Sequence, residues 1–91
     1  MITQNQKSLY NQITYWINGS KTIQEPFTIT KNNREASFEP SANYQTTIVW
    51  KNIVEDIDAL VENEYLTEEI VDGIKQYRLN HIETRPLNKK K

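Results

Sequence analysis

Apolar residues recur at helical spacing near the start of the chain. Four of them fall at i, i+4, i+7 and i+8 and therefore share one helical face: Leu9, Ile13, Trp16 and Ile17. Ahead of them, residues 3–6 read Thr-Gln-Asn-Gln and fit a capping box, in which the threonine and the second glutamine satisfy each other's backbone N–H groups. The pattern predicts a first helix from about residue 4 to residue 18, ended by Gly19 in the left-handed conformation common after helices.

The segment after this helix gives two conflicting signals. Residues 27–30 alternate apolar and polar side chains, as a short strand does. Thr30 could then cap a short second helix that runs through residues 34–38. Alternatively, residues 26–30 and 34–38 pair as a hairpin around two asparagines, although the turn lacks the glycine that such hairpins favour. Both interpretations stay open.

A stronger stripe follows, with charged residues between its apolar positions. Its members step along the chain as one face of an amphipathic helix: Trp50, Ile53, Val54, Ile57, Leu60 and Val61. Ser41 and Thr47 are both suitable N-caps for this long helix. If the helix begins at Ser41, the side chain of Ile48 points outward.

The clearest turn signal lies beyond the long helix. Two apolar-polar runs, residues 65–71 and 74–79, flank Asp72 and Gly73, a pair that adopts the positive φ angles of a type I′ hairpin turn. Counting outward from the turn places three residue pairs on one face: Leu66 with Leu79, Glu68 with Tyr77, and Ile70 with Lys75. Because that face holds most of the apolar surface, we expect it to pack on the helices.

The passage from the long helix into the hairpin resembles the winged helix-turn-helix family. Residues 57–66 read Ile-Asp-Ala-Leu-Val-Glu-Asn-Glu-Tyr-Leu, and the returning strand carries Tyr-Arg-Leu at residues 77–79. The match covers residues 41–80, and the preceding part of the chain only in outline. The resemblance implies an α+β fold of three helices with a C-terminal two-stranded β-hairpin wing. This domain would span residues 1–82, with residues 83–91 as a basic, mobile tail.

What the resemblance implies about function is sequence-specific binding of double-stranded DNA, as in a small transcriptional regulator. The N-terminal half of the long helix would enter the major groove and the wing would reach the backbone. The matching positions are Asn43, Gln45, Thr46, Thr47 and Lys51 on the helix, Lys75 and Arg78 on the wing, and Lys31 and Arg34 as supports on the second helix. Amides can bond adenine and cations can reach phosphate, but capping and solvation favour the same polar residues early in a helix. Since one small domain makes few base contacts, a homodimer is expected.

Charge is strongly segregated along the chain and supports an alternative. Residues 55–72 carry eight acidic and no basic side chains, although the formal net charge of the whole chain is only −1. Carboxylates on the long helix would repel DNA phosphates and must then face away from them. The alternative function is therefore a protein-interaction module, an inhibitor or adaptor, that uses the acidic face of residues 55–69 to bind a basic partner.

Composition excludes several other classes. The 91 residues contain no cysteine, one histidine (His81) without an evident partner, and two glycines, so we expect neither a nucleophilic enzyme nor a phosphate-binding loop nor a cofactor. The carboxylates of Glu55, Asp58 and Glu62 have a spacing that could hold a hard cation, but solvation explains them more simply, and no metal is predicted. Without a signal peptide or an apolar run of membrane-spanning length, the expected location is cytoplasmic, with no membrane contact.

Overall fold

The computed structural model describes residues 1–41 and 46–80. Within these ranges the elements are α1 (Gln4–Thr14), a π-helical turn (Tyr15–Gly19), β1 (Ile23–Asn32), β2 (Glu35–Ser41), β3 (Thr46–Val49), α2 (Ile53–Glu62), β4 (Leu66–Val71) and β5 (Ile74–Leu79). The strands form one antiparallel sheet in the order β3-β2-β1-β5-β4. No helix of the described residues is long and apolar enough to cross a membrane.

The predicted winged helix-turn-helix fold is wrong. The described residues form two α-helices and a five-stranded sheet, where three helices and a two-stranded wing were expected. The stretch predicted as the second helix is β2, and part of the stretch predicted as the start of the long helix is β3. The α+β class holds, but the strands outnumber the helices.

The first helix forms where the sequence predicts it. The side chain of Thr3 accepts a bond from the Gln6 backbone N–H at 3.1 Å, and the Gln6 side chain accepts one from the Thr3 N–H at 2.9 Å, which confirms the capping box. Gly19 ends the helical segment without a positive φ; instead Lys21 takes the left-handed conformation. A Cβ at Gly19 would lie 2.7 Å from Cδ1 of Tyr15, so a larger residue here would force the exposed Tyr15 side chain to shift.

The second and third strands replace the predicted helices for a physical reason. Asn33, which tolerates positive φ, turns β1 back into β2 with a φ of 59°. The hairpin alternative is therefore confirmed, but its turn is residues 33–34 where residues 32–33 were expected, and Thr30 pairs with Ser37. β3 consists of two threonines, an isoleucine and a valine, all β-branched and therefore better suited to a strand than to a helix. Ile48 pairs with Ala36 and packs on the core. It therefore does not point outward, as it would if a helix began at Ser41.

The long helix is shorter than predicted, because α2 begins at Ile53, after the N-cap Asn52, and neither Ser41 nor Thr47 caps it. From there its stripe is confirmed in part: Ile53, Ile57 and Leu60 are buried, while Val54 remains 58% exposed.

The predicted C-terminal hairpin is confirmed in register. All three predicted pairs occur, and Asp72 and Gly73 have φ angles of 53° and 81°. The face that was expected to pack on the helices does so near the base of the hairpin, where Leu66, Tyr77 and Leu79 are buried. Near the turn it does not, because Ile70 is 63% exposed.

The core lies between one face of the sheet and the two helices, which contact each other. The ring of Phe27 lies at its centre, 6.1 Å from the ring of Phe38 and 5.8 Å from that of Tyr77. Phe27 and Tyr77 are also the one registered pair between β1 and β5. The Leu79 N–H donates to the Glu25 carboxylate between the same strands at 2.6 Å, so a short stretch joins the two halves of the sheet.

Candidate functional site

The predicted DNA-contacting residues of the long helix do not lie on a helix where the structure describes them. Thr46 is 4% exposed, and its hydroxyl accepts a bond from Ser41 at 3.2 Å. The hydroxyl of Thr47 lies 3.1 Å from that of Ser37 on the neighbouring strand. Both threonine hydroxyls therefore contact the neighbouring strand β2. Asn43 and Gln45 lie outside the described residues, as do His81 and the predicted tail.

The two predicted cations of the wing are engaged by carboxylates of the same hairpin. Nζ of Lys75 lies 4.0 Å from Oε1 of Glu68, and Nε of Arg78 lies 3.6 Å from Oε1 of Glu69. Pairs this exposed are weak. They nevertheless leave the hairpin without an excess of positive charge with which to approach a phosphate backbone.

Three other predicted cations come together at one end of the molecule: Lys31, Arg34 and Lys51, which we call the basic corner. Nζ of Lys31 donates to the backbone oxygen of Lys51 at 3.3 Å, and the Trp50 N–H donates to the backbone oxygen of Arg34 at 3.0 Å. All three side chains are exposed, and none forms a salt bridge with the described residues. Lys31 and Arg34 lie at the β1–β2 turn, where a second helix was predicted.

Carboxylates gather on α2 and the strand that follows it. We define the acidic face as Glu55, Asp58 and Glu62, all exposed on α2, together with Glu68 on β4. Asp56 does not belong to it, because its carboxylate accepts bonds from Trp50 Nε1 at 2.6 Å and from the Gln6 amide at 3.1 Å, and so ties α2 to α1.

Tyr77 shows that the two parts of the acidic face are close. Burial raises the pKa of the Tyr77 hydroxyl, and the carboxylates of Glu68 and Asp58 raise it further. These carboxylates come from different elements, the hairpin and the helix. Carboxylates of two elements therefore act on one buried phenol.

A cleft opens beside the acidic face, where β1 and β5 part. Beyond the pair of Phe27 with Tyr77 there is no further pairing between the two strands, and a cavity of about 470 Å³ lies between residues 28–31, residues 74–77 and α2. Its apolar lining is Ile29, Ile53, Val54, Ile57, Ile74 and Tyr77. Lys31, Asp58 and Lys75 contribute the charges of its wall. Val54 and Ile74 are 58% and 55% exposed at its mouth.

Sequence reasoning did not find this cleft. The signal for it was weak: three exposed apolar residues, Ile70, Val71 and Ile74, surround a turn that should be polar, but only Ile74 lines the cleft. Among the described residues no group of three or more histidine, cysteine or acidic side chains could hold a metal ion, so the carboxylates of α2 do not assemble a cation site there.

Comparison of the chain with protein-family models, with curated proteins and with solved structures gave no significant match. No family or partner follows from relatives. Double-stranded DNA binding, the homodimer and the basic protein partner therefore stay predictions.

Proposed function

We propose that the chain is a protein-interaction module whose acidic face binds a basic segment of a partner protein. The observation that carries the proposal is that exposed apolar side chains and one exposed carboxylate of the acidic face border the same cleft. Val54 and Ile74 offer apolar surface at its mouth, and Asp58 lies on its wall. An exposed apolar patch rimmed by polar residues is typical of interaction sites.

Charge would set the specificity and speed of this association. The carboxylates of Glu55 and Glu62 lie one helical turn to either side of Asp58, at i−3 and i+4, so a partner with spaced lysines or arginines can meet all three. Such exposed charges act mainly through the association rate and are screened by salt. Affinity should therefore fall as salt is added.

A selection of random displayed peptides on the immobilised chain tests the proposal. We expect enriched peptides to carry lysine or arginine next to an apolar residue. The triple variant Glu55→Gln, Asp58→Asn, Glu62→Gln should bind the enriched peptides at least about tenfold more weakly and with less salt dependence.

The matched control removes three carboxylates elsewhere: Glu35→Gln, Glu39→Gln and Asp72→Asn. It has the same net charge as the first variant, so it should keep the wild-type affinity if position matters more than total charge. Enriched peptides without basic residues, or equal losses in both triple variants, would contradict the proposal.

The basic corner favours a second candidate, the binding of double-stranded DNA. Its three cations are exposed and free of salt bridges with the described residues, and cations of this kind bind phosphates with release of counterions. The Arg34→Ala variant should weaken binding to duplex DNA and reduce the salt slope by about one phosphate contact, while Lys7→Ala on α1 should not. Titration of labelled duplex by fluorescence anisotropy measures both. Absence of binding at low salt would rule out this candidate.

A further inference from the structure

We infer that the cleft receives a short extended segment of the partner, which lies between β1 and β5 as an added strand, with an apolar side chain in the cleft and a lysine or arginine beside Asp58. This inference rests on the proposed function and names the form of the ligand.

Unpaired strand edges are the first support for this form. Residues 28–32 of β1 pair with β2, and residues 74–79 of β5 pair with β4. On the side of the cleft both strands lose their partner beyond Phe27 and Tyr77. Each therefore presents backbone N–H and C=O groups towards the cleft, and such edges bind extended peptides by main-chain hydrogen bonds.

The apolar floor is the second support. Ile53 and Ile57 of α2 are buried beneath the cleft, and Ile74 stands at its mouth. The volume of about 470 Å³ lies within the range of about 300–1,000 Å³ that is typical of ligand pockets. A strand that enters the cleft can direct alternate side chains to this floor and to solvent.

Charge complementarity favours a cationic side chain next to the apolar side chain of the segment. Of the two cations on the cleft wall, Lys75 lies 4.0 Å from Glu68, and Lys31, which keeps its positive charge, donates to the backbone oxygen of Lys51 and so directs its ammonium group towards the basic corner. Asp58 has no salt bridge with a described residue, and its exposed carboxylate lies on the cleft wall. A cationic side chain next to the apolar anchor fits this arrangement, whereas an acidic one would meet repulsion from α2.

Variants of two exposed isoleucines on the same hairpin test the inference with the tightest peptide from the selection described above. Ile74→Asp places a charge at the mouth of the cleft and should weaken peptide binding at least tenfold. Ile70→Asp is the matched control, because Ile70 is similarly exposed but does not line the cleft; it should keep the wild-type affinity. Circular dichroism checks that both variants fold.

N-methylation of the peptide backbone tests strand pairing directly. A strand added between two edges directs alternate amides to β1 and to β5, so methylation of either alternate set should weaken binding at least about tenfold, whereas methylation of an amide at the end of the peptide, beyond the cleft, should not. Amide exchange at residues 28–31 and 74–76 should slow in the complex.

Different experimental results would contradict the inference and the proposed function. If the Ile74→Asp variant and the peptides methylated on either alternate set bind as wild type does, while the acidic-face triple variant loses binding, the cleft is not the binding site and the proposed function stands. If the selection enriches no peptide that binds the chain, both are overturned.

Discussion

At the scale of single residues, Tyr77 connects the fold with the candidate site. Its ring packs against Phe27 in the core, and its hydroxyl lies near the carboxylates of Glu68 and Asp58. Burial and these two charges all favour the neutral phenol and raise its pKa. The folded protein therefore holds this proton more tightly than the unfolded chain does.

Stability at alkaline pH should report this difference. Because the folded-state pKa of Tyr77 is raised, its contribution is fully present below the unfolded value near 10 and is lost as the pH rises through the folded value. The free energy of unfolding, measured by urea denaturation from pH 8 to pH 11.5, should fall more steeply for wild type than for Tyr77→Phe. Parallel curves for the two proteins would mean that the phenol has the same pKa in both states.

Gly73 is the second residue with a specific conformational role. Its φ of 81° lies in the region that β-branched residues resist, although nothing lies within 4 Å of a Cβ at this position. We expect Gly73→Val to destabilise the protein by about 1–2 kcal/mol, which for a domain of this size lowers Tm by about 4–8 °C per kcal/mol. Gly73→Asn should cost less, since asparagine tolerates positive φ. An unchanged Tm in the valine variant would show that the turn is not type I′.

At the scale of elements, the sequence predicts the helices and turns that local patterns determine. The register of the β4–β5 hairpin follows from counting outward from Asp72 and Gly73, and α1 follows from its capping box. β3 was missed because the apolar stripe that begins at Trp50 was extended towards Ser41, across the β-branched residues of β3. Their β-branched side chains were the local signal for a strand, and pairing with the neighbouring β2 stabilises that strand.

The acidic face, the cleft and the basic corner also differ in how far the sequence predicts them. The carboxylates of the acidic face could be predicted, because they are dense along residues 55–69 and three of the four lie on the exposed side of α2. The cleft could not, since it depends on where β1 and β5 separate, and these strands are far apart in sequence. The basic corner was predicted residue by residue but not as a cluster, because Arg34 and Lys51 meet only through the pairing of β2 with β3.

A pair of aspartate substitutions tests the orientation of β3. In the strand Ile48 points to the core, whereas Val49 is 70% exposed. We expect Ile48→Asp to be less stable than Val49→Asp by about 2 kcal/mol, because only the first places a carboxylate against apolar side chains. Urea denaturation measures the difference, and both variants share the low strand propensity of aspartate. Equal stabilities would argue against this strand register.

At the scale of the whole molecule, one strand holds two half-sheets together. β1 pairs with β2 along most of its length but with β5 only at Phe27 and Tyr77. In the core, the ring of Phe27 packs against the rings of Phe38 on β2 and Tyr77 on β5, so it contacts both halves of the sheet. We therefore expect cooperative unfolding of the two halves to depend strongly on the buried ring of Phe27.

Truncation of this ring should be the most damaging of these substitutions. Phe27→Ala removes a fully buried ring, which costs about 3–5 kcal/mol, a large fraction of the roughly 5–15 kcal/mol expected for a small domain. Phe27→Leu should cost about 1 kcal/mol, since it conserves more of the volume. Denaturation followed by circular dichroism and by amide exchange measures the loss of stability. A loss of less than about 2 kcal/mol in the alanine variant would contradict a central role for Phe27.

The outer margins of the sheet also bear on how the protein behaves when it is concentrated. One margin is β3, only four residues long, and the other is β4, which carries Glu68 and Glu69 at its middle. Short strands and charged side chains at these positions discourage edge-to-edge pairing of one copy's sheet with another's, a common route to fibrils. Addition of one copy's strand to another's is therefore disfavoured at both margins.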